Sequence, residues 1–130
     1  MPRRPLAALA LLAAAALVGT ALAAQEEDPA KTARDAEAAA AKAGAALFRD
    51  DALGTNERSC STCHDNPKKP ELSLKGVTTR FPRYDEDAGR VITLQEKFVQ
   101  MQERSLKARK TLPLGDPKWT ALELHLRGLK

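Results

Sequence analysis

The apolar positions fall into four groups along the chain. Leu6 to Val18 is apolar on every side. From Pro29 to about Asp50 the sequence is Ala-rich with scattered charges, which predicts one helix whose second half, Ala40 to Phe48, packs. Val91, Leu94, Phe98 and Met101 then recur at helical spacing, predicting a helix from Val91 to about Arg109. Trp119, Leu122, Leu126 and Leu129 make a similar stripe near the C-terminus. Asp28-Pro29 and Asp116-Pro117 each set an N-cap carboxylate before a Pro suited to the first helical turn. Residues 65–89 contain Pro67, Pro70, Pro82, Gly76 and Gly89, which predicts a loop region with at most a short turn of helix. No strand alternation and no internal repeat is visible. The pattern predicts an all-α domain.

The first apolar group differs in kind from the others. Arg3 and Arg4 precede it, and Ala21-Leu22-Ala23 follows it as an A-x-A cleavage site. This is the layout of a signal peptide, with export to the periplasm expected. The run is short of the ~20 residues that span a bilayer, and Gly19-Thr20 interrupts it; if left uncleaved it would act as a membrane anchor. The expected organisation is a signal peptide over 1–23, a polar, Ala-rich extension over 24–40 and a globular domain over 41–130.

The formal charge is +4, and two of those charges, Arg3 and Arg4, leave with the signal peptide. The acidic residues Glu26, Glu27, Asp28, Asp35 and Glu37 outnumber Lys31, Arg34 and Lys42 in the first part of the exported chain. The rest is therefore mildly basic. It has no basic run of the kind that binds nucleic acid, and it suits an acidic protein partner. Aromatic residues are scarce, with one Trp, one Tyr and three Phe. So small a domain buries little surface by itself, and a large apolar cofactor would make up the shortfall.

Cys60-Ser61-Thr62-Cys63-His64 is the motif with chemistry in it. C-x-x-C-H is the signature for covalent haem attachment. Two thiols at this spacing form thioethers with the two vinyl groups of one haem, and the adjacent His becomes the proximal ligand of the iron. Three other readings exist. A thioredoxin-like redox pair needs a strand-helix setting, which the pattern lacks. A zinc site would need Cys60, Cys63, His64 and His125, with adjacent residues awkward to fit in one tetrahedron. A local disulfide needs only the two thiols. The two cysteines are too close together to staple distant parts of the chain.

The other side of such a haem needs a ligand. Met101 shares a helix face with Leu94 and Phe98, so it points inward, either as a ligand or as a core-filling side chain. His125, at the edge of the last stripe, is the second candidate; an open site or a lysine ligand completes the alternatives. Gly44 lies one turn before Phe48 and would let the Trp119 helix cross closely. Arg80, Arg83 and Arg90 surround Phe81 and Tyr84, either as a solvated loop or with one of them paired to a haem propionate. Lys107, Arg109 and Lys110 cluster at the expected end of the Met101 helix, where they suit either the helix dipole or a docking partner.

Gly44-Ala-Ala-Leu-Phe48 followed by Cys60-Ser-Thr-Cys-His64 resembles the opening of class I cytochromes c. Phe48-Arg-Asp-Asp-Ala-Leu-Gly-Thr-Asn56 and Asn66-Pro67 are similar to segments of dihaem peroxidases and sulfur-oxidising cytochromes. Leu74-Lys-Gly-Val77, Phe81-Pro-Arg-Tyr84 and Gly89-Arg-Val-Ile-Thr-Leu94 resemble the haem domains of thiosulfate dehydrogenase and of the catalytic cytochrome of the Sox complex. Gln102-Glu-Arg-Ser-Leu106 and Ala121-Leu-Glu-Leu-His-Leu126 are similar too. The resemblance implies a cytochrome c fold: N- and C-terminal helices cross over a covalently bound haem, and a third helix supplies the distal ligand.

In those enzymes a Cys is the distal ligand of the catalytic haem and handles the sulfur substrate. Here Met101 stands at the equivalent place, and both cysteines belong to haem attachment. The expectation is a periplasmic electron-transfer protein, not an enzyme, with one haem c attached at Cys60 and Cys63. His64 and Met101 would hold the iron. It would exchange electrons with redox protein partners, a dehydrogenase as donor and an oxidase or reductase as acceptor, and the resemblance points to sulfur-compound oxidation as the pathway. The alternatives are a small oxidoreductase acting on sulfur compounds or peroxide, and a haem subunit docked through its Ala-rich segment.

Overall fold

The computed structural model describes residues 28–130. The signal peptide expected over 1–23, and residues 24–27 of the extension, lie outside the described residues. Among the described residues there are four α-helices: α1 (Pro29–Phe48), α2 (Cys60–His64), α3 (Leu94–Arg104) and α4 (Pro117–Arg127). Among the described residues no helix is long and apolar enough to cross a membrane.

Both Asp-Pro starts form as expected. The Asp28 carboxylate accepts from Ala30 N at 3.0 Å, and that of Asp116 accepts from Lys118 N at 2.9 Å. Residues 29–39 of α1 are exposed, and burial begins in the second half with Gly44, Leu47 and Phe48. There α1 packs on α4. A Cβ placed on Gly44 would stand 1.9 Å from the Ala121 carbonyl oxygen, so only glycine permits this approach. Phe48, Trp119, Leu122 and Leu126 are almost fully enclosed around the contact. Each such side chain contributes about 2 kcal/mol through burial.

Two expectations are corrected. A two-stranded antiparallel hairpin, β1 (Arg83–Asp85) and β2 (Arg90–Ile92), occupies a stretch expected to be loop and helix start. Gly89 takes φ 63° in its turn, and the Asp85 carboxylate accepts from Ala88 N at 3.0 Å, which closes the loop. Three residues per strand are too few to show alternation, so the pattern was silent there. Val91 lies in β2 opposite Tyr84 and is exposed, not on the buried face of a helix.

Helix α3 is therefore shorter than expected at both ends. It starts at Thr93, whose hydroxyl accepts from Glu96 N at 3.3 Å while the Glu96 carboxylate accepts from Thr93 N at 2.7 Å. This reciprocal pair is a capping box. The helix ends at Arg104 because Lys107 adopts φ 57° and reverses the chain. Leu94 and Phe98 are buried as the stripe predicts, and Phe98 packs on Trp119 with ring centroids 5.5 Å apart.

Gly44→Ala tests the helix crossing. At an exposed helical site the change would stabilise by about 1 kcal/mol. Here the new Cβ meets rigid backbone, so a loss of about 2 kcal/mol is expected in denaturant unfolding. A neutral or stabilising result would show that α1 does not sit this close to α4.

Candidate functional site

Between α2, α3 and α4 lies a cavity of about 730 Å³. That volume is in the range of sites for organic ligands. Its walls are apolar: Phe48, Leu53, Leu74, Val77, Leu94, Phe98, Leu106, Trp119, Leu122 and Leu126. Cys60, Cys63, His64 and Met101 all face the same space.

The short helix α2 carries Cys60, Cys63 and His64. The Thr62 hydroxyl accepts from Ser59 N at 3.0 Å and so stabilises the helix start. Cys60 and Cys63 are three apart, which puts them on one side of the helix. Both thiols are free. Burial pushes the Cys60 thiol up to about 11, with the neighbouring Cys63 a smaller contribution in the same direction. Redox-active cysteines are shifted the opposite way.

His64 Nδ1 donates to the Leu72 carbonyl at 2.5 Å. With Nδ1–H engaged, the lone pair sits on Nε2, the nitrogen left for a metal. No feature of the sequence pointed to Leu72, because a backbone carbonyl has no residue-type signature.

Met101 is half-buried, and Ser105 Oγ donates to its Sδ at 3.6 Å. His125 is elsewhere: its ring stacks on Phe48 with centroids 5.3 Å apart, and it does not line the cavity. Burial and the Arg49 guanidinium hold the His125 pKa below its usual value. Among the described residues no group of three or more His, Cys, Asp or Glu gathers to hold a metal ion by itself.

Among the described residues six cations border the cavity, Arg58, Arg80, Arg83, Lys97, Arg104 and Lys107, and no carboxylate does. Lys97 is tied to Asp85 at 2.8 Å and Arg104 to Asp87 at 2.7 Å. Arg83 stacks over Phe81, 4.8 Å from the ring centroid. Arg90 faces away from the cavity and pairs with Glu96 at 2.7 Å. Of the three arginines singled out in the sequence, Arg80 and Arg83 are therefore placed to meet a carboxylate in the cavity. Arg109 and Lys110 are not on its wall, but Lys107 is.

The residues present fit a haem c. The cavity is apolar, as a porphyrin face requires, and its cationic border suits two propionates. Two reduced cysteines, an imidazole with Nε2 available and a thioether share it. The Trp119 indole N–H, on the cavity wall, is buried and has no partner among the described residues, which leaves a donor for a polar group of the cofactor.

The SoxA/TsdA cytochrome c domain family matches residues 43–127. No curated protein and no solved structure is significantly similar to the chain.

The Lys97–Asp85 pair ties the hairpin to the helix that carries Met101. The Lys97 hydrogen bond holds the Asp85 carboxyl below its usual range, outweighing the opposing effect of burial. A depressed carboxyl stabilises the fold above its unfolded pKa, and that contribution disappears as pH falls through the folded value. Asp85→Asn should therefore lower the thermal midpoint at pH 7, with the gap to wild type closing below about pH 4. A gap of equal size at both pH values would rule out the ion pair as its source.

Proposed function

The chain belongs to the SoxA/TsdA cytochrome c domain family, and from that membership we propose that it is a single-haem electron carrier with its iron held between His64 and Met101. As a cytochrome c domain it is a haem electron-transfer protein of the class I type, with haem c attached covalently. Bound in the cavity, that group supplies a one-electron Fe(III)/Fe(II) couple.

The observation that carries the finer reading is the shared cavity wall of Cys60, Cys63, His64 and Met101. Cys60 and Cys63 tether one haem, and the chain has no other cysteines for a second attachment or for a sulfur adduct. His64 is oriented through Leu72, and its Nε2 would hold the iron. Met101 would supply a second ligand through its sulfur. Phe48, Phe98 and Trp119 give the cavity apolar walls, which would favour the less charged Fe(II) state together with a thioether ligand.

Export to the periplasm, the compartment where such attachment takes place, fits the N-terminal signal peptide. The partners are redox proteins, a dehydrogenase donor and an oxidase or reductase acceptor, meeting the basic side of the domain. The family resemblance supports a role in sulfur-compound oxidation, with this chain carrying electrons away from the sulfur chemistry and not performing it.

Met101→Ala tests the assignment. The oxidised protein should lose the weak red charge-transfer band of Met–iron ligation and bind cyanide rapidly. Its potential should fall on the order of 0.1 V, a small part of the range that axial ligands span. An unchanged band and potential would remove Met101 from the iron. Rapid cyanide or CO binding by wild type at neutral pH would favour an enzyme with an open distal side.

A further inference from the structure

Gly54, Thr55 and Asn56 read in the sequence as a break ahead of Cys60. In the structure they form one side of a bracket, and the end of the Met101 helix forms the other. Thr55 N donates to the Leu106 carbonyl at 2.9 Å, and the Thr55 hydroxyl donates to the Lys107 carbonyl at 2.6 Å. Asn56 Nδ2 donates to the Ser105 carbonyl at 2.8 Å. The two segments are so close that a Cβ on Gly54 would stand 1.9 Å from the Leu106 oxygen. Lys107 adopts φ 57° in the turn, a backbone region that a non-glycine residue rarely takes.

Gln102 locks this arrangement. It is only 4% exposed, and both ends of its amide are used. Nε2 donates to the Leu53 carbonyl at 2.9 Å, and Oε1 accepts from Leu112 N at 2.8 Å. One side chain therefore joins the loop before the attachment motif, the last turn of α3 and the segment leading to α4. Its neighbour in sequence is Met101. The bracket also reaches the Met101 sulfur, because Ser105, held through its carbonyl by Asn56, donates its hydroxyl to Sδ at 3.6 Å. A Met side chain has three rotatable bonds and adapts readily to its surroundings. Holding its sulfur at one place takes a rigid backbone below it and a contact above it.

We propose that Gln102 is a positioning residue for the distal ligand: it clamps Leu53–Asn56 to the end of α3 and so keeps the Met101 sulfur opposite His64. This rests on the reading of Met101 as a ligand. The clamp resists opening because each half of the amide satisfies a backbone group, and leaving such a group unpaired in the interior costs more than one hydrogen bond gains.

The test uses the haem-loaded protein and Gln102→Glu. That variant is close in shape and can still accept from Leu112 N, but its ionised carboxylate cannot donate to Leu53, so the comparison is made at a pH where the carboxylate is ionised. Its cyanide-binding rate in the oxidised state should rise about tenfold, the scale of one unmade buried hydrogen bond. The Met–iron band should weaken and the potential should fall, with haem content and helix content unchanged. Gly54→Ala, which strikes the bracket from the other side, should do the same and decides the matter if Gln102→Glu does not assemble. In a Met101→Ala background, Gln102→Glu should leave the cyanide rate unchanged, since no sulfur remains to be held. A general structural role would move it in both backgrounds. Wild type without the Met–iron band would overturn the ligand reading and this proposal together. Wild type with the band, and folded variants with the same band, potential and cyanide rate, would overturn this proposal alone.

Discussion

Phe48, Leu53, Val77, Leu94, Phe98, Leu106, Trp119, Leu122 and Leu126 form the buried cluster with Leu47, and all of them except Leu47 also line the cavity. The core and the cofactor site are thus one set of side chains. That constraint governs the rest of the molecule. A chain with five aromatic side chains has little bulk of its own to fill a space of about 730 Å³, and its fold suits a large flat apolar group. The shortage of aromatics and the C-x-x-C-H motif are two expressions of the same physical need.

The backbone around the cavity follows from a few close approaches. Gly44 lets α1 lie against Ala121 of α4, which brings the first and last helices together. Gly54 does the same for the loop before Cys60 and the loop after Met101. In both places a missing Cβ lets one chain segment reach the carbonyl of another. The first approach sets where α4 presents Trp119 and Leu126 to the cavity. The second links the region that presents Cys60, Cys63 and His64 to the one that presents Met101.

What was legible in the sequence had a local cause. The Asp-Pro caps act within three residues, the stripes of α1 and α4 act within a turn or two, and the attachment motif is a contiguous word. Gly44 was also legible, because the Phe48 one turn later marked a packing face. The start of α3 was legible but misread: Thr93-x-x-Glu96 is a capping box, yet Val91 matched the helical stripe and drew the boundary forward. Other features had no local cause. Gln102 looks like any surface residue of a polar helix, and only the fold brings Leu53 and Leu112 to its two ends. Gly54-Thr55-Asn56 has the composition of a turn, and its pairing with Ser105–Lys107 depends on residues some fifty positions away. The left-handed turn at Lys107 is likewise imposed by tertiary contacts and not by residue type.

The charges at the cavity border sort themselves by partner. Asp85 and Asp87 of the hairpin neutralise Lys97 and Arg104. Arg58, Arg80, Arg83 and Lys107 have no carboxylate partner among the described residues, and all four are exposed. Two propionates of a bound haem would match two of those charges, and the others would remain as a positive field at the cavity border. Exposed pairs formed there with a partner add little affinity, but they speed encounter and orient it. A carrier needs that combination, because it must find its partner quickly and leave it again. The ion pairs that are formed serve a different end. Lys97, on the helix that bears Met101, is held by the buried Asp85 of the hairpin, so that charge is fixed in place while those at the border stay available.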